Sequence, residues 1–473
     1  MPSDLEVMYS RVLKALEGVQ YASRETPVFA KAMEWIKSFP RDLDNSLRVK
    51  LMHATCKSFN LSEAELLLCL EGSLNGLVKT QLEAISREVQ LRKILPKGGW
   101  FEFYDKYTME IEPPLSYLIF SSMCVLSCAL GRRVYRRMGH FTLFPNYCVL
   151  LIGPTGRVKK TTAGDIAAKF IRSCMLCPIL ADKVTPESLV RVLKDSGHHF
   201  AFSPEMAVFF GRQKYNEGLV ETILRLLDCP SEYIVETMAR GTEILTDLAV
   251  TFLGCTTQSL LTTSMPEEVT SSGFMNRFVL VVERDTERVF PSPGVPPADM
   301  EDKLMRTAER LKSFSGEMTL SKEADQWYDQ WYRERRVELR RITDDTLVEV
   351  LERTPTHLLR TAMLVHLVQC DNMDICLECI QNAHEMMKYV EVEAPKTVQA
   401  LKQSSGANDM DLVTLTLKKL GGAADHSTLI RRVASKMNAQ QLKLHIKTLE
   451  ESGVVRVTKK GAATFYYLEG GIE

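Results

Sequence analysis

Hydrophobic and polar positions divide this chain into stretches of different period. From Leu115 to Leu130 runs an apolar stretch without a charge, broken by four serines. It is shorter than the ~20 residues a bilayer crossing needs, so the pattern predicts a buried helix. From Tyr147 to Ile152 come six residues without a charge, the signature of a central parallel strand covered on both faces. Short apolar runs recur before Glu205, from Ala249 to Cys255 and from Phe278 to Val282, with helical signals between them to about residue 290. That alternation predicts an α/β domain. Lys97-Gly98-Gly99 marks its start and the Pro-rich segment 291–297 its end.

The flanks carry a helical period. In residues 1–96, Ser62-Glu-Ala-Glu65 is a capping-box signature before the run LLLCL, and Val78, Leu82, Ile85 and Val89 form one stripe. The stripe suits a small helical bundle or a collar through which protomers associate, and is too short to separate the two. Residues 299–402 read as a helical lid, with Trp327 and Trp331 four apart on one face. Residues 403–408 are a polar linker. In 409–473 a helix from Asp411 to Leu420 stops at Gly421-Gly422, a second follows Ser427, and a third is capped by Asn438 and ends near Gly453. Strands at 454–458 and 464–468 flank a turn at Lys459-Lys460-Gly461. Three helices and a hairpin predict a winged helix-turn-helix. The chain has no repeats and no low-complexity tract. The expected fold is a multidomain α/β protein: helical N-terminal domain 1–96, α/β core 97–298, lid 299–402 and winged helix 403–473.

Composition narrows the picture. The 473 residues suit roughly three ordinary domains. A net charge of −1 excludes a global polycation, so any nucleic-acid contact must come from local patches or a channel. The 12 cysteines lie mostly in apolar runs, as free thiols do in a reducing compartment. A zinc site from the CxxC pairs Cys174/Cys177 and Cys376/Cys379 would need the fold to join two distant segments. The polar start MPSDLEVMYSR carries no signal-peptide pattern, and a cytoplasmic protein without membrane contact is expected.

The chemistry concentrates after the strand at 147–152. Gly153-Pro154-Thr155-Gly156-Arg157-Val158-Lys159-Lys160-Thr161-Thr162 is a glycine turn leading into a helix. Glycines let backbone N–H groups wrap phosphates, the helix N-terminus adds positive dipole, lysine neutralises the terminal phosphates and a hydroxyl ligates Mg²⁺. In the standard eight-residue spacing Val158 replaces the second glycine and Lys160 the Ser/Thr. With one extra residue, Gly153, Gly156, Lys160 and Thr161 all fall into role, and Lys159 becomes an additional cation. The ligands implied are ATP and Mg²⁺.

Glu205 ends a short apolar strand and fits the residue that orients the attacking water and shares the metal. Ser203 and Pro204 stand where an aspartate is usual, so Mg²⁺ rests more on Thr161. Thr257, at the tip of the next strand, is placed to sense the γ-phosphate. Arg277 immediately precedes another apolar strand and is placed to enter a neighbour's ATP site, or else to form a surface ion pair. The third helix of the C-terminal module carries Lys443, His445 and Lys447, and the wing Lys459 and Lys460. Ten Lys/Arg against seven Asp/Glu make this module only mildly basic, so both DNA and a protein remain open as its partner.

GPTGRVKKTT, FAFSPEMAVFFGRQKYNEGL, VTFLGCTTQSLL and SSGFMNRFVLVVER resemble a family of phage and prophage replication ATPases, over roughly residues 100–395. The resemblance implies loops of the form GRxxKS/T with the same extra residue. The order of motifs is also similar to AAA+ helicases of the MCM type. That likeness implies an arginine finger at Asn276-Arg277-Phe278, and a lid with a second nucleotide sensor at Arg353 and Arg360. It also implies a pore hairpin between Tyr233 and Leu245 with Arg240 on the phosphate backbone, where an ordinary surface hairpin is the alternative. The function so implied is an ATP-dependent DNA helicase, assembled as a homo-hexamer and working with a primase or polymerase. An ATP-regulated initiator or helicase loader shares every motif. A nucleotide-binding scaffold without hydrolysis is the third reading, motivated by Ser203 and Pro204.

Overall fold

The computed structural model describes residue 54 and residues 87–469, apart from 182, 211–217, 238–240, 264–271, 287, 394–396, 398–409, 411, 435–436 and 461–462. The capping box at Ser62, the stripe from Val78 to Ile85 and the linker at 403–408 lie outside the described residues.

The described chain begins with helical residues 87–94, followed by α1 (Trp100–Tyr107) and α2 (Leu115–Leu130). Every residue of α2 is buried, as its uncharged run predicts. Burial of three of its four serines is offset by hydrogen bonds, while Ser121 Oγ is buried without a partner. Ser122 Oγ accepts from Trp100 Nε1 at 3.0 Å, Ser127 Oγ pairs with Thr251 at 2.7 Å, and Ser116 donates to Glu283 at 2.7 Å. Strands β1 (Val134–Met138) and β2 (Phe141–Leu143) form a small hairpin. Next come β3 (Cys148–Ile152), α3 (Lys160–Ser173), α4 (Pro186–Asp195), β4 (His198–Ser203), α5 (Met206–Phe209) and α6 (Leu219–Leu227). The hairpin β5 (Glu232–Thr237) and β6 (Gly241–Thr246) follows, then β7 (Ala249–Thr256), α7 (Gln258–Thr263), α8 (Ser272–Met275) and β8 (Val279–Val282).

The central sheet is parallel, in the order β4-β7-β3-β8. Alternation along each strand divides its side chains between two cores. Val149, Leu151, Phe200, Phe202, Leu253, Cys255, Val279 and Val281 face one core with α2 and α3. Leu150, Ala201, Val250, Phe252 and Leu280 face the other with α4 and α6. This two-sided burial is why the strands read as continuous apolar runs.

After the sheet come α9 (Ala298–Lys312), β9 (Gly316–Glu317), β10 (Thr319–Leu320), α10 (Lys322–Leu339), α11 (Asp345–Leu351), α12 (Thr354–Gln369), β11 (Asp374–Ile375) and α13 (Leu377–Glu391). Trp327 and Trp331 stack on one face of α10, centroids 6.2 Å apart. The first core runs through Leu91, α1, α2, α9, α12 and α13 without a break. The segments expected as separate core and lid therefore share one hydrophobic interior, and residues 87–94 belong to it as well.

The C-terminal residues have their own core, built from Val413, Leu417, Leu429, Leu442, Ile446, Val455 and Tyr466. After helical residues 412–419 come β12 (Ala423–Asp425), α14 (His426–Val433), α15 (Ala439–Glu451), β13 (Val455–Lys460) and β14 (Ala463–Leu468). Asn438 caps α15, as its sequence predicts, and its own backbone N–H donates to Gln441 Oε1 at 2.9 Å. Three details differ from expectation. The strand β12 pairs with β14. The cap of α14 is Asp425, whose carboxylate accepts from Thr428 N at 3.0 Å, so the helix starts before Ser427. Lys459 and Lys460 pair with Thr464 and Ala463 inside the hairpin ladder and do not form its turn. Among the described residues no helix is long and apolar enough to cross a membrane.

Candidate nucleotide site

The loop from Gly153 to Lys159 joins β3 to α3, at the carboxyl end of the sheet. In parallel α/β sheets, ligands bind outside those ends where the strand order reverses. Here the chain leaves β3 for β4, returns through β7 between them, and crosses to β8 on the other side. The tips of β3, β7 and β4 therefore lie side by side.

Steric demands fix the loop. A Cβ on Gly153 would stand 2.4 Å from the Glu283 carbonyl, 2.6 Å from Tyr117 Oη and 2.8 Å from Val158. Gly156 has φ +76°, a conformation cheap only for glycine. Val158, at the position where a glycine is usual, is fully buried in the core and anchors the loop from beneath. Lys159 is left-handed, φ 45°, immediately before the helix. That turn lets Lys160 begin α3. Pro154, Thr155, Gly156, Arg157, Lys159, Thr161 and Thr162 are exposed around the turn. Lys159 pairs with Glu112 at 3.2 Å, and Arg157 lies 3.9 Å from Asp285. Gly153→Ala is expected to force a backbone shift costing about 1–3 kcal/mol, by analogy with overpacked cores. Thermal denaturation should register the loss together with weakened nucleotide binding.

Lys160 is buried, and its Nζ donates to Gly153 O at 2.6 Å and Pro154 O at 3.1 Å. Burial lowers its pKa, against the pull of Cys255 and Glu205. Glu205 follows β4 and is half-buried; its Oε1 is inaccessible and has no hydrogen-bond partner. Burial raises its carboxyl above the usual range, opposed by the Ala207 amide and by Lys160. A carboxylate oxygen buried without a partner is costly to maintain for structure alone. Thr257 sits at the tip of β7 as expected, but its hydroxyl meets Ser259 Oγ at 3.0 Å and accepts from Leu260 N at 3.1 Å. It caps α7.

No family model matches this chain, and no curated protein matches it.

The arginines expected at the nucleotide lie at the other end of the sheet. Arg277 precedes β8, and its guanidinium bonds Asp228 at 2.7 Å and the Gly273 carbonyl. Arg353, the N-cap of α12, bonds the same Asp228 at 2.9 Å. Burial pushes the Asp228 carboxyl up, but the two arginines outweigh it and hold it below the usual range. Next in sequence, Cys229 packs against Phe144 and Ala249, at the amino ends of β3 and β7. Arg360 is buried beside them, its Nε donating to Phe144 O at 3.2 Å. The length of β3, about 13 Å at ~3.3 Å per residue, separates these groups from the loop. Arg353 and Arg360 therefore do not meet the loop of their own chain, and Arg360 is a structural cation under the sheet.

Sequence reasoning missed the group behind the loop. Glu283, just after β8, is buried and accepts from Ser116, from Tyr389 at 3.0 Å and from Arg87 at 3.3 Å. It links the first described helical turn, the core and α13 directly behind Gly153. The glutamate in VVER was its visible signal. Of the nucleic-acid candidates, Lys443 and Lys447 are exposed one turn apart on α15, and Lys459 is exposed on β13. The hairpin β5–β6 forms with Thr237 opposite Gly241, while Arg240 lies outside the described residues.

Proposed function

We propose that this chain is a P-loop ATPase of the AAA+ kind that acts on DNA as a ring-forming, helicase-like motor. The observation that carries the reading is the convergence of Lys160 and the exposed Thr161 after β3 with Glu205 after β4, whose Oε1 is buried without a hydrogen-bond partner, at the carboxyl end of one sheet. The residues present fit ATP and Mg²⁺: Lys160 would hold the terminal phosphates, Thr161 would ligate the metal, and Glu205 would take the proton of the attacking water. Mg²⁺, when bound, supplies charge neutralisation on the phosphates. Lys160 is held on two loop carbonyls, so an incoming phosphate would displace neutral hydrogen-bond acceptors from its ammonium.

Assembly into a ring, a homo-hexamer by resemblance, is supported by Arg277 and Arg353. They share Asp228 at the end of the sheet away from their own loop, where only a neighbour's nucleotide would meet them. DNA is the proposed track, with the β5–β6 hairpin at the channel and the C-terminal helices and hairpin as a winged helix whose sequence carries Lys443, Lys447, Lys459 and Lys460. The phage or mobile-element setting, the cytoplasmic location and a primase or polymerase partner rest on the resemblance alone.

The decisive experiment is steady-state ATP hydrolysis by the full chain with and without single-stranded DNA. DNA-stimulated turnover that disappears in Lys160→Ala is expected. Hydrolysis absent from the intact protein, or unchanged in the variant, would overturn the reading. Turnover without strand displacement would favour the initiator or loader instead.

A further inference from the structure

The turn between α12 and α13 gathers four groups able to bind a metal. His366 lies in the last turn of α12 and Cys370 is its C-cap; Cys376 is the N-cap of α13 and Cys379 lies in its first turn. One ligand atom from each lies within 4.8 Å of all the others. Around a tetrahedral ion with Zn–S bonds of about 2.3 Å, neighbouring sulfurs stand roughly 3.8 Å apart, so closure needs shifts of only about 1 Å.

His366 supplies an independent observation. Its side chain is fully buried. The Nε2 lies 3.1 Å from the Asn372 carbonyl and 3.0 Å from Asn372 Oδ1. Both partners are oxygens that accept, so Nε2 carries the proton and Nδ1 carries the lone pair. That Nδ1 is buried without any hydrogen-bond partner. A backbone or amide oxygen fixing the tautomer of a histidine whose other nitrogen is free is the usual outer-shell arrangement of a metal ligand. Cys376 adds to this: as an N-cap it makes no side-chain capping bond.

We infer that His366, Cys370, Cys376 and Cys379 form a structural zinc site that fastens the turn between α12 and α13. Three thiolates and an imidazole are a soft, four-coordinate set with no open position, which selects Zn²⁺ and assigns it no catalytic step. The CxxC pairs suggested a different grouping. Cys177 lies with Cys128 and His198 instead, and Cys376/Cys379 are completed by the end of the preceding helix. The spacing His-x3-Cys-x5-Cys-x2-Cys spans a single helical turn-around and contains only one CxxC pair. The site has a mechanical consequence. Helix α12 starts at Arg353 and α13 carries Tyr389 onto Glu283 behind the loop. Zinc would hold these two helices in register.

Metal analysis of the purified full chain, followed by absorption spectroscopy at the zinc edge, tests this. One zinc per chain is expected, with a shell of three sulfurs at about 2.3 Å and one nitrogen at about 2.0 Å. Cys376→Ser with Cys379→Ser should lose the metal, while Cys174→Ser with Cys177→Ser should keep it. Because the first pair of substitutions can also unfold the turn, the wild-type shell stands as the independent readout. A metal-free chain after expression with zinc, an oxygen-rich shell, or zinc retained by Cys376→Ser/Cys379→Ser would overturn the assignment.

Discussion

Arg277→Ala is expected to lower ATP turnover about 10³- to 10⁵-fold, or about 4–7 kcal/mol of transition-state stabilisation, with nucleotide affinity nearly unchanged. The magnitude is that of an arginine supplied to a neighbour's phosphoryl-transfer site. The structure makes a fold-based explanation of such a loss unattractive. Arg277 is bound to Asp228, and Asp228 keeps Arg353 as a partner at 2.9 Å when Arg277 is removed. No buried charge is left alone, so stability should change little compared with the rate. The assignment to a neighbour is checked by mixing. Arg277→Ala subunits retain Lys160, and Lys160→Ala subunits retain Arg277. Rings containing both place intact pairs at some interfaces and should recover part of the activity that each variant lacks alone. Turnover near wild type in Arg277→Ala would remove the finger. Loss without recovery in mixed rings would place its action within one chain, against its position at the far end of the sheet.

The parallel sheet was legible because burial on both faces leaves uncharged runs, and α2 because sixteen consecutive positions face the interior. The succession of strand, glycine turn and helix from Cys148 to Lys160 was legible locally, and Lys159 takes a left-handed turn just before the helix. What stayed hidden depends on distant pairing. Arg353 and Arg360 carry the residue type of a nucleotide sensor, yet Arg360 is bound to Phe144, 216 positions away. Asp228 joins Arg277 to Arg353 across 49 and 125 positions. Glu283 collects partners from three elements. No period or motif encodes these encounters, since each is set by the tertiary path of the chain. The four-ligand turn was hidden for a subtler reason. Its spacing is local, but its histidine is in a helix interior, where it reads as an ordinary core residue until its unpartnered Nδ1 is seen.

Glu205→Gln separates binding from hydrolysis. The amide keeps the size and polarity of the carboxylate and removes its capacity to accept a proton. Hydrolysis should fall by about 10²- to 10⁴-fold, the usual contribution of a general base, while ATP remains bound and Lys160 keeps its place in the loop. The pH profile gives a second, more specific readout. Burial raises the Glu205 carboxyl above its usual range, with the Ala207 amide and Lys160 pulling the other way. A base works only when deprotonated, so a raised pKa moves the acid limb of the rate profile upward in pH. Turnover should therefore decline on acidification earlier than an ordinary exposed glutamate would dictate, and Glu205→Gln should show low activity without that limb. Wild-type hydrolysis in the glutamine variant would mean that the base lies elsewhere. Equal loss of binding and turnover would mean that Glu205 shapes the loop without activating water. Only the split result, tight ATP with slow hydrolysis, assigns to this one carboxylate the chemical role that its buried, unpartnered Oε1 suggests.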